Sequence, residues 1–237
     1  MRRGLAFVSA TPESLPSHVG SALRCVSCHL DAGRRAHAMP WVGVYGRFPQ
    51  YRSRSARVAL IEERINECIR RSLNGTALPV DGDAMRDIVA YMAWLSRGIP
   101  VGARLDGSGI DSLVPMAGDT TRGAAVYAQH CARCHAPDGR GMLGHPLAHP
   151  GPPLWGVASF NIGSGMARVR VVAAFVHRQM PFDRPGTLSP QESFDVAAFI
   201  AARPRPDYPG KERDWPNGDA PPDVAYGTLA RPSRGSP

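Results

Sequence analysis

Two copies of the pentapeptide C-x-x-C-H constrain the fold of this chain more than any other feature. They are Cys25-Val26-Ser27-Cys28-His29 and Cys131-Ala132-Arg133-Cys134-His135. Two cysteines at this spacing can form thioether bonds to both vinyl groups of a haem, and the histidine that follows is then held beneath the iron as its proximal ligand. Zinc is disfavoured because no second C-x-x-C or H-x-x-x-H lies within zinc-finger spacing. We therefore predict two covalently bound haem c groups, attached through the following residues: Cys25, Cys28, Cys131 and Cys134 to the vinyl groups, His29 and His135 to the irons.

The distance between the two motifs predicts two small domains. A chain of 237 residues suits one or two domains, and the first motif cysteines lie 106 residues apart (131 minus 25). A covalently held haem enlarges the core of a domain that is otherwise marginal in size. We expect an all-α protein with two tandem class I cytochrome c domains. The expected boundaries are residues 1–97 and 119–210 for the domains, 98–118 for a Gly- and Pro-containing linker, and 211–237 for an extended C-terminal tail.

Apolar residues at steps of three and four predict the main helices. The first half should hold a short helix within residues 11–24 and longer ones at about Ala56–Leu73 and Ala84–Ser96, with Asn74-Gly75 ending the former. The second half should hold helices from a cap at Asp119 to the second motif, near Met166–Gln179, and at about Pro190–Ala202. The similar order of helices and haem motifs in the two halves indicates an internal duplication.

The charge of the chain favours anionic partners other than nucleic acid. The net charge is +8, from 28 Lys and Arg against 20 Asp and Glu. The basic residues are almost all Arg and are dispersed, whereas nucleic-acid binders usually cluster them. We expect no nucleic-acid partner, and a surplus of Arg suits a small anionic substrate or an acidic redox partner.

The chain contains no segment that approaches the roughly 18 apolar residues needed to cross a membrane. We therefore do not expect it to span one. Covalent haem c attachment in bacteria takes place outside the cytoplasm, so we expect a periplasmic protein made with a signal peptide. Met1–Ala10 offers only two Arg and a short apolar run, so we expect the printed start to be truncated or misassigned.

The sixth ligand of the first haem has several candidates, which are Met39, Met85, Met92, His37 and Cys68. Met39 adjoins Pro40, which we place on the proximal side, and Met85 and Met92 have the spacing of core residues. Cys68 is the one cysteine outside the two motifs. A buried thiol that only fills space is the alternative to a ligand, and the pattern alone leaves both interpretations open.

The neighbours of Cys68 favour its role as a ligand. Arg64 and Ser72 lie four residues on either side, so all three side chains should project from one stripe of the helix. A guanidinium and a hydroxyl beside an iron would suit a small oxyanion.

For the second haem, the best candidate for the sixth ligand is Met180. It follows a helix, precedes Pro181 and lies 45 residues after His135 (180 minus 135). We interpret Met142 and Met166 as loop or core residues. The remaining histidines of this half that we considered, His145, His149 and His177, are interpreted as solvated loop residues or neighbours of the haem propionates.

Over most of its length the chain resembles the dihaem thiosulfate dehydrogenases, also described as thiosulfate:tetrathionate oxidoreductases. The most specific segment is Arg64-Ile65-Asn66-Glu67-Cys68. The other matching segments are Val19-Gly20, Cys28-His29-Leu30-Asp31-Ala32-Gly33, Phe48-Pro49-Gln50-Tyr51-Arg52, Ser72-Leu73-Asn74-Gly75, Pro152-Pro153-Leu154-Trp155-Gly156, Ser159-Phe160-Asn161, Gly163-Ser164-Gly165-Met166, Met180-Pro181, Asp214-Trp215-Pro216 and Pro222-Asp223.

The resemblance implies a role for each of several residues. Cys68 would be the distal ligand of the first haem and Met180 that of the second, and Arg54, Arg64 and Ser72 would shape the substrate pocket. One departure is Gln179, since some members of the family have Lys directly before the methionine, so ligand exchange at the second haem is in doubt.

The resemblance also implies an activity. Two thiosulfates would be oxidised to tetrathionate, a reaction that the same pocket can run in reverse, and a soluble or membrane-associated cytochrome would accept the electrons. The alternatives are a dihaem electron carrier without catalysis, the cysteine-ligated cytochrome subunit of a sulfur-oxidising complex, and, least favoured, a dihaem peroxidase.

Overall fold

The chain forms helices and one small β-hairpin. The computed structural model describes residues 1–230. The α-helices are α1 (Arg2–Ser9), α2 (Thr11–Ser14), α3 (Leu30–Gly33), α4 (Ile61–Arg71), α5 (Asp83–Leu95), α6 (Thr120–His130), α7 (Ala132–His135), α8 (Val169–Gln179) and α9 (Pro190–Ala201). Short 3-10 turns occur at Cys25–Ser27, Tyr45–Arg47, Ser53–Ser55, Gly165–Ala167 and Lys211–Arg213. Strands β1 (Gln50–Arg52) and β2 (Arg57–Ala59) pair antiparallel, with Tyr51 opposite Val58. The all-α prediction is confirmed, with this hairpin as a minor addition.

The two halves repeat one helix crossing, in which a glycine lets two helices approach closely. Helix α1 crosses α5 at Gly4, where a Cβ atom would lie 2.0 Å from the carbonyl oxygen of Asp87. Helix α6 crosses α9 at Gly123, where a Cβ atom would lie 2.0 Å from the carbonyl oxygen of Asp195. Only glycine fits at either crossing, because any side chain would collide with backbone. The shared device supports the predicted internal duplication.

The N-terminal region differs from the prediction. Residues 2–9 form α1, and Val8 is buried in the core, so this stretch is part of the first half of the fold. The helix expected within residues 11–24 is only the four-residue α2. It ends at Ser14 because the next residue, Leu15, precedes Pro16, and the residue before a proline is disfavoured in the α-helical region.

Helix α4 begins later than the predicted Ala56. Residues 57–59 belong to β2, and Ala56 has a left-handed φ of 49°. The carboxylate of Glu63 accepts a hydrogen bond from the backbone N–H of Leu60 at 2.7 Å, which fixes the start at Ile61. The predicted stop is confirmed, since Asn74 adopts a left-handed φ of 49° just beyond the helix.

The other predicted helices agree with the structure to within a few residues. Asp119 caps α6 by accepting hydrogen bonds from the N–H groups of Thr121 and Arg122, both at 2.8 Å. Ser189 and Glu192 cap α9 reciprocally. Among residues 1–230, no helix combines the length and apolar character that crossing a bilayer requires.

The C-terminal strap, residues 204–229, runs across both halves. The N–H of Trp215 donates to the carbonyl of Arg54 at 2.8 Å, and the Asp214 carboxylate accepts two hydrogen bonds from Arg71, both at 2.8 Å. In the second half, Arg168 donates to Asp223 at 2.7 Å. The last seven residues of the predicted tail, 231–237, lie outside the described residues. The domain boundaries stay a prediction.

Asn66 fastens α4 to the segment that follows it. Its buried side-chain amide donates to the carbonyl of Leu78 at 2.9 Å and accepts from the N–H of Leu78 at 2.8 Å. We expect Asn66→Ala to lower the free energy of unfolding by about 2 kcal/mol, because it leaves two buried backbone groups without partners. Urea unfolding of the holoprotein measures this, with Glu62→Ala on the same helix as the control. An unchanged midpoint in Asn66→Ala would contradict the prediction.

Candidate functional site

Within residues 1–230, each C-x-x-C-H motif lines a cavity of its own. The first has a volume of about 320 Å³ and is lined by Cys25, Cys28 and His29, among others. The second has a volume of about 370 Å³, and its lining includes Cys131, Cys134 and His135. Each half of the chain therefore encloses a space beside its own thiols and imidazole.

Both motif histidines are oriented by a backbone carbonyl. The ring Nδ1–H of His29 donates to the carbonyl of Met39 at 2.7 Å, and that of His135 donates to the carbonyl of Pro152 at 2.7 Å. Each acceptor directly precedes a proline, Pro40 or Pro153. This bond fixes the tautomer and leaves Nε2 to coordinate a metal. This contact of Met39 agrees with the predicted position of Pro40 on the proximal side.

The surroundings of the histidines are also suited to holding a ligand. Trp41 packs on the ring of His29 with centroids 4.7 Å apart, and burial lowers the pKa of His29 to about 4. The imidazole is therefore neutral, as a metal ligand must be. Trp41 packs so closely on Gly33 that a Cβ atom there would lie 2.1 Å from the indole. Gly139 and Trp155 repeat this contact in the second half, also at 2.1 Å.

Arg24 provides a further test of whether a haem fits. Its side chain lines both cavities and pairs with Glu13, yet its Nε is buried and has no hydrogen-bond partner among residues 1–230. A buried guanidinium N–H without a partner is costly, and a carboxylate is its natural acceptor. Haem carries two propionates. The thiols, the neutral imidazoles and this cation together fit a haem in each cavity.

The stripe predicted on α4 faces the first cavity. Arg64, Cys68 and Ser72 all line it. The Nη1 of Arg64 lies 2.9 Å from the Sγ of Cys68, and the Oγ of Ser72 lies 3.0 Å from the Oγ of Ser164. Negative charge on Cys68 raises the pKa of Arg64, so the guanidinium remains protonated beside the sulfur. The structure thus brings three of the four predicted catalytic residues together.

Arg54, the fourth predicted residue, does not line this cavity. Its Nη1 donates to the carbonyl of Gly163 at 2.6 Å, and its guanidinium lies 4.6 Å from the ring centroid of Trp215. Burial lowers the pKa of Arg54, and the nearby Arg71 lowers it further. The structure therefore ties Arg54 to the strap and to the wall behind the cavity.

Several cavity residues were not singled out by the sequence. Arg52 on β1 lines the first cavity, and burial together with the charge of Arg64 lowers its pKa, so the two cations face one space. Arg47 and Ser164 also line this cavity. Two of the three, Arg52 and Ser164, lie in segments that carry the family resemblance, which is the signal that pointed to them without assigning a role.

Met180 and Cys68 compete with few other side chains for the two spaces. Met180 lines the second cavity, as do His130, His149 and Met166, whereas His145, His177 and Met142 do not. In the first cavity, Met39 and Met92 contribute to the lining, and Met85 and His37 do not. Gln179 is buried, and its side-chain amide donates to the carbonyl of Ala36 at 3.0 Å, so it points toward the first half.

A shared wall separates the two cavities. Leu23, Arg24, Cys28 and Met166 line both. Cys28 belongs to the first motif, so a thiol of the first cavity also borders the second.

Comparison with known proteins assigns the chain to a family. Residues 18–101 match the family model described as SoxA/TsdA, cytochrome c domain, and residues 118–200 match the model described as Cytochrome C oxidase, cbb3-type, subunit III. The chain is 42% identical over 225 residues to the thiosulfate dehydrogenase of Psychrobacter arcticus, an alignment that covers 94% of this chain and 69% of that one. The chain belongs to the thiosulfate dehydrogenase family. The thiosulfate dehydrogenase of Allochromatium vinosum is 45% identical over 209 residues, covering 86% of this chain and 77% of that protein.

A solved structure supports the same family. The thiosulfate dehydrogenase TsdBA of Marichromatium purpuratum, in its as-isolated form, superposes with a TM-score of 0.85 at 37% sequence identity. The match covers 95% of this chain and 51% of that one, so this chain spans about half the length of that polypeptide. The predicted family and the predicted pair of cytochrome c domains are confirmed.

Proposed function

We propose that the first cavity oxidises two thiosulfate ions to one tetrathionate. The observation that carries this proposal is the pair of Arg64 and Cys68, whose Nη1 and Sγ lie 2.9 Å apart in a cavity that His29 also lines. A cation fixed beside a soft sulfur is a suitable place to hold a sulfur oxyanion. The choice of thiosulfate as the substrate comes from the relatives, which are named thiosulfate dehydrogenase.

The cofactors of the proposal are two covalent haem c groups. His29 and Cys68 would ligate the iron of the first, and His135 and Met180 that of the second. The cavity linings support this assignment of ligands, because the two side chains of each pair border the same cavity. When bound, each haem accepts one of the two electrons that the reaction releases.

The arginines of the first cavity would make the encounter of two dianions feasible. Each thiosulfate carries two negative charges, and bringing like charges close together is costly outside bulk water. Arg64 and Arg52 both line the cavity, so their charges offset this repulsion. The hydroxyl pair of Ser72 and Ser164 supplies a hydrogen-bond donor on the same wall. A bond forms between the two outer sulfurs, two electrons leave, and no proton is exchanged.

The electrons would leave through the second half of the molecule. The wall that contains Cys28 and Met166 lies between the two cavities, so an electron would cross it to reach a haem held by His135 and Met180. A soluble or membrane-associated cytochrome outside this chain would be the acceptor. Haem c attachment places the protein in the periplasm in this proposal.

Product identification tests the function directly. Purified holoprotein with both haems attached is mixed with thiosulfate and ferricyanide, and the sulfur products are separated by ion chromatography. We expect one tetrathionate for every two ferricyanide ions reduced. Holoprotein that carries both haems and reduces no ferricyanide would favour the dihaem electron carrier. Supplying tetrathionate and a reductant tests the reverse reaction in the same cavity.

Arg52 and Arg54 form a matched pair, because they are two residues apart and only Arg52 lines the cavity. We expect Arg52→Ala to raise the KM for thiosulfate about 10-fold, since it removes one cation from the lining. The resemblance assigns Arg54 to the pocket, and we propose that it acts there through Gly163 and Trp215. Arg54→Ala should therefore lower the Tm, and it should raise the KM less than Arg52→Ala does. Equal KM values in Arg52→Ala and wild type would remove Arg52 from substrate binding.

A further inference from the structure

The mouth of the second cavity is formed by both halves of the chain and exposes an aromatic ring. Phe182 lines the cavity and is 41% exposed. Its ring lies 5.1 Å from that of His149, centroid to centroid, and the guanidinium of Arg35 lies 5.2 Å from its centroid. Arg35 comes from the first half and the other two residues from the second. Ala148, also in the lining, is exposed at the same place.

The cations around this mouth differ in whether they are neutralised. Arg133 pairs with Asp183 at 2.5 Å. Arg35 and the exposed Arg184, two residues beyond Phe182, form no ion pair within the part of the chain that the structure describes. The rim of the mouth therefore carries more positive than negative charge around an apolar centre, with Arg35, Arg133 and Arg184 against Asp183.

The arginine side chains are distributed differently around the two cavities. Arg24, Arg47, Arg52 and Arg64 line the first cavity, where they can reach a small ion inside it. In the second cavity Arg24 is the arginine of the lining, and leucine, proline, phenylalanine and valine are the most frequent apolar residues of the rest. A small anion has little to bind there. Arg184 is exposed and Arg35 is half-buried, so the charges at the rim can reach a larger partner in solution.

We propose that this mouth, formed by Arg35, His149, Phe182 and Arg184, is the docking surface for a haem protein that carries acidic residues around its own haem edge. The proposal rests on the proposed function in making the second haem the exit for electrons. Transient redox complexes use a small apolar contact within a charged rim, and opposite charge speeds their encounter. One electron passes to the ferric iron of the acceptor in each encounter, and no bond forms or breaks.

One acceptor protein, prepared in a positively charged and a negatively charged form, tests the docking surface. The probes are a basic c-type cytochrome and the same cytochrome after its lysines are succinylated, which reverses its charge. The holoprotein is reduced with dithionite, freed of excess reductant, and mixed with each probe in a stopped-flow instrument at low salt. We expect the succinylated probe to be reduced at least about 10-fold faster than the basic one, with the difference shrinking as salt is added.

Two double variants separate a local surface from overall charge. Arg35→Ser with Arg184→Ser removes the rim cations, and Arg97→Ser with Arg104→Ser removes two exposed arginines that line neither cavity. Both variants lower the net charge by two. The preference for the succinylated probe should fall about 10-fold in the rim variant and stay near wild type in the control. Equal losses in both variants, or no preference in wild type, would overturn the proposal.

Binding provides a readout that does not depend on electron transfer. With both proteins oxidised, isothermal titration calorimetry should give a Kd for the succinylated probe that rises in the rim variant and not in the control. An unchanged Kd in the rim variant would also count against this surface. Because dithionite replaces thiosulfate, a failure of thiosulfate oxidation leaves both measurements valid and is seen separately in the product assay.

Discussion

Cys68→Ala is expected to abolish tetrathionate formation while both haems stay attached. The substitution removes the sulfur that lies 2.9 Å from Arg64 and leaves the four motif cysteines in place. Turnover with thiosulfate and ferricyanide should fall by at least about 1,000-fold, the size of effect seen when the reacting group of an enzyme is removed. Initial rates measure the loss, and a pyridine haemochrome assay counts the haems in the same sample.

A second substitution at this position separates a thiol from any side chain that fills the space. Cys68→Met restores bulk and a soft sulfur but cannot form a thiolate. We expect it to be as inactive as Cys68→Ala, with a visible spectrum that differs from that of wild type. Wild-type turnover in the alanine variant, with two haems bound, would show that Cys68 is a packing residue.

Arg64→Ala should lower kcat/KM for thiosulfate by about 100-fold, because it removes the guanidinium that contacts the Cys68 sulfur in a partly buried site. Arg64→Lys keeps the charge but loses the planar fork, so it should recover part of the activity. Steady-state kinetics at a fixed ferricyanide concentration distinguish an effect on KM from one on kcat.

Arg70 offers a matched control on the same helix. It does not line the first cavity, so Arg70→Ala changes the net charge and helix propensity as Arg64→Ala does without altering the lining. We expect its kcat/KM to stay within about 2-fold of wild type, as is usual for a residue away from the chemistry. Similar losses in the two alanine variants would mean that charge on α4, rather than contact with substrate, controls the rate.

The helices that the sequence placed well are those with local signals at their ends. Asp119 and Ser189 begin α6 and α9 through hydrogen bonds within one turn, and Asn74 lies just beyond the end of α4. The start of α4 was misplaced because Arg57–Ala59 pairs with a strand across a turn. Helix α1 was missed because its stability comes from packing on α5, about 80 residues away in sequence, which no local pattern reports.

The residues of the site show the same difference between local signals and tertiary packing. Arg64, Cys68 and Ser72 share one helix, so helical periodicity alone predicts that they face one direction. Arg52 and Ser164 reach the same cavity from a strand and from the second half of the chain, which depends on tertiary packing. The resemblance marked their segments without giving either residue a role, and it assigned Arg54 to the pocket, whereas Arg52 is the one of these two arginines that lines the cavity.

The contacts of the strap imply an order in which the parts of the protein fold. Asp214 and Trp215 contact Arg71 and Arg54, so the wall behind the first cavity is completed by residues that are synthesised after both C-x-x-C-H motifs. A nascent polypeptide that has delivered only its first half presents an unfinished cleft beside Cys25 and Cys28. Cofactor insertion at the first motif would therefore precede closure, and the strap would complete the wall of the cavity afterwards.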